Sequence, residues 1–533
     1  MRALTIALCL TASVLCVSVA QAARVRPLAL PVDDQRVLDR GAITGATTAS
    51  SAAGDVAVLW RNGDTVRLAT RAVGGRFFAP LVLPGAASAE NSSLEGPVVG
   101  VGGGVLATWR NGTPEDGETL QVAVADPGRA PGLLAPLATP GGAGESPRAE
   151  WRTTVSADGT AMMAVERGDA VRVTERRLAG GFGPEVVVSA PGELPELTSV
   201  RMIRDDAGGV IVTWTSKMPC VALAAARCLI NRVSTRAAGA AGFGVPQSLA
   251  EIPTGLTPVP RVPTPQIQQP FAAADGAGRT ALAWRRNDPG RFDGVEVSLG
   301  SASRGFAPRV VLPGRPSGLN TASGPPPCGR IPGTPYLAGA LPAAGGGEVL
   351  LTQVVTGCGS SIQAFTIGAD GSVAGARVLA SGIGSHAATV LRRGPRAALL
   401  IQSRRTIRVA FAQPDGTFTA LRRVGPKATQ RFTGPGAIMR DGSVIVEYGR
   451  GCGPGRGANS EIAVVKPRSV AQTTRRIAPC GARAPTLIDS RGALVTMSLD
   501  GASPDSALLQ GSATCPIPAA LTAQRAHRRA ACR

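Results

Sequence analysis

A short pattern of apolar positions recurs along the chain. A turn containing Gly or Asp is followed by four or five mostly apolar residues and then by Trp or a substitute for it. The pattern occupies 56–60, 105–109, 161–165, 210–214, 280–284, 349–353, 398–402, 444–448 and 493–497. It ends on Trp60, Trp109, Val165, Trp214, Trp284, Gln353, Gln402, Tyr448 and Met497. These end positions are 49, 56, 49, 70, 69, 49, 46 and 49 residues apart, and four of the five tryptophans fall on them. A fixed period of this length marks a repeat architecture.

The rest of each unit is also patterned. Alternating segments follow at 66–71, 171–176 and 407–412. Next come a Gly-aromatic turn and another apolar segment, as at 75–84 and 305–313. A short segment ending in a turn precedes the apolar run, as at 155–159 and 487–492. Each unit therefore reads as four strands, A to D, with Gly, Asp and Pro as punctuation. Strand B is an almost unbroken apolar run and needs cover on both faces. A four-stranded sheet wedged between two like sheets meets that need, and radial stacking of such sheets is a β-propeller. The expected fold is all-β, a β-propeller of four-stranded blades with about nine quasi-repeats. Tandem immunoglobulin-like domains need about 100 residues per unit, twice the period seen.

Nine units exceed the usual four to eight blades. One large ring, two smaller rings, or eight blades and an incomplete unit all remain open, and a single ring is favoured. The ninth unit lacks a clear strand D, which the segment 27–38 is placed to supply. The loops divide by face. A–B turns are tight, whereas long insertions fall at B–C (110–118, 215–228, 285–293, 449–460) or D–A (84–96, 248–265, 313–335). Blade topology puts B–C and D–A together, so one face is plain and the other built up. Function on rigid scaffolds concentrates in such loops.

The ends place the chain outside the cytoplasm. Arg2, an apolar stretch and the small-x-small site Ala20-Gln21-Ala22 form a secretory signal peptide. The expected domains are a signal peptide (1–22), the repeat domain (23–511) and a basic tail (512–533). No later segment is long and apolar enough for a membrane span, so the mature chain is expected to be secreted or to reside at the envelope exterior. Eight cysteines remain after the signal peptide, an even number in an exported chain. Strand assignment pairs Cys220 with Cys228, Cys328 with Cys358 and Cys452 with Cys480, leaving Cys515 and Cys532 for the tail. Only two histidines, His386 and His527, and no C-x-x-C are present. Neither a Cys/His metal site nor a cofactor is expected.

The net charge is +20, and all but three of the 56 basic residues are Arg. A basic surface attracts polyanions, but the Arg residues are dispersed rather than clustered, so GC-rich codon usage is the favoured explanation of the charge. The built-up face carries Arg110, Arg285, Arg286, Arg291, Arg330, Arg450 and Arg456, the candidate ligand-binding residues. The expected partner is an acidic glycan, a cell-wall polymer or another exported protein, and not nucleic acid. No Gly-x-Ser-x-Gly elbow supports a serine nucleophile. The run Gly100-Val101-Gly102-Gly103-Gly104 lacks the Lys and Ser/Thr of a phosphate loop and sits where an A–B turn belongs. Paired carboxylates suffice for glycoside hydrolysis. Glu115, Asp116 and Glu118, or Asp288 and Asp293, would serve the rival function of a carbohydrate-active hydrolase or lyase.

The unit resembles those of exported propeller-type repeat proteins of GC-rich actinobacteria, over nearly the whole mature chain. It is more distantly similar to sialidase-type, Asp-box propellers. Ser156-Ala157-Asp158-Gly159-Thr160 approaches the Asp box Ser-x-Asp-x-Gly-x-Thr-Trp, but its Gly is one place early and it has no Trp. A sialidase-type nucleophile would have to be Tyr336 or Tyr448. The first resemblance implies no activity.

Overall fold

The computed structural model describes residues 32–514 apart from short segments in the connections, the longest being 85–96, 135–150, 255–265 and 313–333. Among the described residues the strands form nine antiparallel sheets with no α-helix. Each sheet follows the order A-B-C-D. In the first sheet the strands are Ile43–Ser50, Val56–Asn62, Thr65–Arg71 and Leu81–Leu83. The expected apolar runs all fall on the second strand of their sheets.

The chain is a β-propeller, and its packing explains why strand B is apolar throughout. Successive residues of a strand point to opposite faces, and here each face meets a different neighbouring sheet. In the first unit Ala57 and Leu59 join a core with Val105, Ala107 and Trp109 of the second. In the fourth, Val210, Val212 and Trp214 pack against Met162 and Ala164 of the third. Ile211 packs instead with Leu282 and Trp284 of the fifth. Similar cores join units five to six, six to seven and seven to eight. Units two and three share Leu106, Val122, Val155 and Ala161. Among the described residues these cores run without a break from unit one to unit eight.

Closure comes from the N-terminal segment. Val32–Gly41 pairs antiparallel with Ala507–Thr514 and completes the ninth sheet as its strand D. The chain then passes directly into strand A of the first sheet, which touches Thr486–Ile488 of the ninth. The segment expected to close the ninth unit does so, shifted to 32–41. The last strand reaches Thr514, inside the segment expected as tail.

The plain face is built from one repeated turn. In six units the A–B connection has three residues, with the N–H of residue x donating to the carbonyl of x+4: Ser51 to Asp55, Gly100 to Gly104, Asp205 to Gly209, Asp275 to Arg279, Ala343 to Gly347 and Met439 to Ser443. Residue x+3 is left-handed Gly each time, as with Gly103 (φ 88°) and Gly442 (φ 84°). This is the three-residue hairpin that Gly makes inexpensive. The Gly100–Gly104 run is therefore a turn, as expected.

This turn also fixes the phase of strand B. The tryptophans lie nine residues after the start of the turn and face the preceding sheet. By turn and facing, the corresponding residues in units six and seven are Thr352 and Ile401, each one place before the expected Gln353 and Gln402. Val349 and Leu351 face the seventh sheet, and Leu350 the fifth. Ala397, Leu399 and Ile401 face the sixth, and Ala398 and Leu400 the eighth.

Candidate functional site

The end of each sheet where strand B finishes and strand A begins is the built-up face. Two of its insertions are extended hairpins rather than loops. In unit four, Val210–Pro219 and Arg227–Arg236 continue their ladder to Pro219 opposite Arg227. Strand D, Gln247–Thr254, lengthens with them and takes in 248–254 of the expected D–A insertion at 248–265. In unit five, Thr280–Asp288 pairs with Phe292–Ser301 to the last residue. The existing ladder extends through the added residues.

One hairpin is cross-linked. Cys220 and Cys228 form a disulfide with Cα atoms 5.0 Å apart, as expected. Glu251 lies beside the two sulfurs, but sulfurs bonded to each other are not a ligand set. Cys480 ends strand D of unit eight, opposite Ala458, rather than lying in the D–A connection. Cys328, Cys358, Cys452, Cys515 and Cys532 lie outside the described residues.

At this end the buried tryptophans hold carboxylates in place. Trp60 Nε1 donates to Asp39 Oδ2 at 2.7 Å, and Arg67 donates to Asp39 Oδ1 at 2.7 Å. Trp214 Nε1 donates to Glu193 Oε2 at 2.9 Å, and Arg232 Nε to Glu193 Oε1 at 2.7 Å. In both units the acid precedes the tryptophan by 21 residues. In unit five that position is Pro263, and strand C supplies the acid. Trp284 Nε1 donates to Glu296 Oε2 at 2.8 Å, with Arg286 and Arg309 paired to Oε1 at 3.3 and 3.2 Å. In unit two the position is Ser88, and Trp109 Nε1 donates instead to the Pro84 carbonyl at 3.0 Å. Buried indole N–H groups need acceptors, and these acids meet that need. In units one and four the sequence carries a signal for this, an acid 21 residues before the repeat Trp.

The expected ligand-binding arginines are not gathered into one described cluster. Arg286 is half-buried and ion-paired to Glu296. Arg285 precedes it on the same strand, half-buried and opposite Val295. Arg110 and Arg450 sit near the ends of strands B in units two and eight. Arg291, Arg330 and Arg456 lie outside the described residues, as do Glu115, Asp116, Glu118, His386 and His527. Asp288 ends strand B of unit five opposite Phe292, and Asp293 is the second residue of the return strand, opposite Asn287.

A different carboxyl stands out at the plain face. Glu348 begins strand B of unit six, just after the turn glycines 346 and 347. It is fully buried, and neither carboxyl oxygen has a hydrogen-bond partner. Burial, then the nearby Asp275, pushes its pKa up to about 8, against the opposing pull of Arg279 and Arg392. It lies at the opposite end of the sheet from the built-up loops.

No family model matches the chain, and no curated protein matches it in sequence. Among solved structures, a prolyl endopeptidase is 12% identical with a TM-score of 0.38, covering 78% of this chain and 55% of that chain. The chain thus spans about half that protein's length. An ulvan lyase is 10% identical with a TM-score of 0.35, covering 73% and 94% of the two chains. The NanB sialidase from Streptococcus pneumoniae is 8% identical with a TM-score of 0.29, covering 92% and 98%. Likeness at this level says nothing of activity. Among the described residues no helix is long and apolar enough to cross a membrane.

Proposed function

We propose that this chain is an exported, non-enzymatic β-propeller that binds an acidic glycan or cell-wall polymer through the B–C/D–A face. The supporting observation is the asymmetry of the two ends. One end is closed by a repeated three-residue turn. The other carries extended hairpins, one stiffened by the Cys220–Cys228 disulfide. Rigid hairpins on a rigid scaffold hold a binding surface with little entropy left to lose. Asp39, Glu193 and Glu296 at this end are occupied in holding Trp and Arg side chains, which argues for structural work rather than acid–base chemistry.

The test is a screen of the mature chain against immobilised anionic and neutral polysaccharides, followed by product analysis. Retention on anionic polymers is expected, falling steeply with salt as counterions are released. Absence of retention at low salt would overturn binding through charge. Reproducible product release would establish the hydrolase or lyase function instead.

A further inference from the structure

The disulfide of the unit-four hairpin has a carboxylate as its neighbour, and register shows how the group is assembled. Cys228 stands opposite Met218 on strand B and opposite Pro253 on strand D. Two residues along strand C, Ile230 stands opposite Glu251 of strand D. Alternate residues of a strand share a face, so Met218, Cys228, Ile230 and Glu251 lie on one face of the hairpin. Cys220, just past the end of strand B, joins them through its bond to Cys228. Among the described residues, Cys220, Cys228 and Glu251 are the one group of three Cys, His, Asp or Glu side chains whose donor atoms converge. Both sulfurs and a carboxylate oxygen lie within 4.8 Å of one another.

Three observations point to a ligand set beyond the cross-link. First, a cross-link needs only its two sulfurs, and Glu251 adds nothing to it. Second, the sulfurs are shielded: Cys220 and Cys228 are buried with Ile230, and Met218 packs against them. Third, the thiols would stay together without their bond. Val210–Pro219 and Arg227–Arg236 are paired along their whole length, and strand D pairs as far as Thr254. That ladder keeps the cysteine Cα atoms near their present 5.0 Å separation. Glu251 is half-buried and already contacts other protein groups. A carboxylate has about four acceptor sites, so such a contact leaves it able to ligate.

We propose that Cys220, Cys228 and Glu251 form a zinc site that exists only while the disulfide is reduced. The site is independent of the glycan-binding function proposed above. A dithiol reductant attacks one sulfur, and its second thiol then displaces the mixed disulfide. Two electrons and two protons pass to Cys220 and Cys228, and the reductant leaves as a cyclic disulfide. Zinc then displaces the two thiol protons and takes up two thiolates and the carboxylate, with water in the fourth position. Zn–S bonds of about 2.3 Å and Zn–O bonds of about 2.0–2.2 Å set tetrahedral ligand atoms roughly 3.6–3.8 Å apart. The 4.8 Å spread of the donors is close to that. Calcium and magnesium prefer oxygen throughout, whereas two thiolates beside one carboxylate suit a borderline ion. Oxidation returns the two electrons to the oxidant, re-forms the S–S bond and expels the metal.

The test titrates Zn2+ into the chain without residues 1–22 against a competing chromophoric chelator, before and after reduction by a dithiol that is then removed under argon. The variants are C220S/C228S, E251Q and E251H, and each melting temperature is checked. Reduced parent is expected to bind one zinc ion more than reduced C220S/C228S, and the oxidised parent to lack that ion. E251Q is expected to bind it about tenfold or more weakly, and E251H, which offers imidazole in place of the carboxylate, to recover it. Cobalt in place of zinc should give a thiolate-to-metal charge-transfer band in the reduced parent that C220S/C228S lacks. If reduction unfolds the chain, the same titrations are made with Cys328, Cys358, Cys452, Cys480, Cys515 and Cys532 replaced by Ser, so that one pair alone is opened. Equal zinc uptake by reduced parent and C220S/C228S would overturn the site. Binding by E251Q as tight as the parent's would remove Glu251 from the ligand set and the proposal with it. Uptake of the same ion by the oxidised chain would show that the thiols are not what holds it.

Discussion

Glu348 shows how one side chain sets a condition on the whole fold. A carboxylate with no hydrogen-bond partner is costly to bury, and the group avoids that cost by holding its proton. Its folded pKa of about 8 lies above the ordinary 4.5. The folded state therefore binds this proton more tightly than the unfolded chain does. Its contribution to stability is complete below about pH 4.5 and is lost as pH rises toward 8. Each unit of such a shift is worth about 1.4 kcal/mol. Glu348→Gln keeps the shape and removes the ionisation. It should behave like the parent near pH 4 and exceed it by a few kcal/mol, on the order of 3, at pH 8. Chemical denaturation of both proteins from pH 4 to 9 measures this. Stability curves that run parallel across the range would show that Glu348 is not the group responsible. Nothing in the sequence marked this residue. A glutamate after three glycines reads as a solvated turn, and only the closing of units five and seven around it creates the burial.

At the scale of the strand, what could be read depended on whether the two faces differ. The position of strand B was plain in all nine units. Its phase was plain only where Trp marked it. In units six and seven both faces are apolar, so a shift of one residue left the pattern unchanged while reversing every side chain. The tight A–B turn resolves the phase, because Gly346 (φ 77°) fixes where the strand begins. Hairpin extension was missed for a related reason. Residues 215–219 and 227–230 mix polar and apolar types and resemble a loop until they are set opposite each other. The cysteines test this geometry further. Cys480 ends its strand opposite Ala458, the residue after the connection that contains Cys452. The expected bridges beyond 220–228 are therefore 328–358, 452–480 and 515–532. Peptide mapping under non-reducing conditions should recover these three cross-linked pairs. Recovery of Cys328 or Cys358 joined to Cys452 or Cys480 would mean that the loops of units six and eight are arranged differently.

For the molecule as a whole, the decisive contact is between the two ends of the chain. The ninth sheet supplies strands A, B and C from the C-terminal part and strand D from Val32–Gly41. The N-terminal contribution was readable because the ninth unit lacked a fourth strand, but its end was not. Asp39 and Arg40 look like a polar turn after Leu38. Asp39 is instead buried beneath unit one, accepting from Trp60 and Arg67, so the strand runs on to Gly41. Two effects therefore act on one segment. It hides the edge of Ala507–Thr514, which would otherwise present unpaired backbone groups, and it fills the carboxylate site of the first tryptophan. Losing it should cost more than an ordinary edge strand, because Trp60 and Arg67 would keep their buried donors without the acid. A chain beginning at residue 32 should melt like one beginning at residue 23. A chain beginning at residue 42 should be destabilised by several kcal/mol, roughly 3–5 from the carboxylate site alone, and should associate through the bared edge. Adding a peptide of residues 32–41 should raise its melting temperature in a concentration-dependent way, since it binds only the folded form. The same peptide with Asp39→Ala should do so less well. If the chain beginning at residue 42 melts normally and ignores the peptide, the ring does not depend on its N-terminal strand for closure.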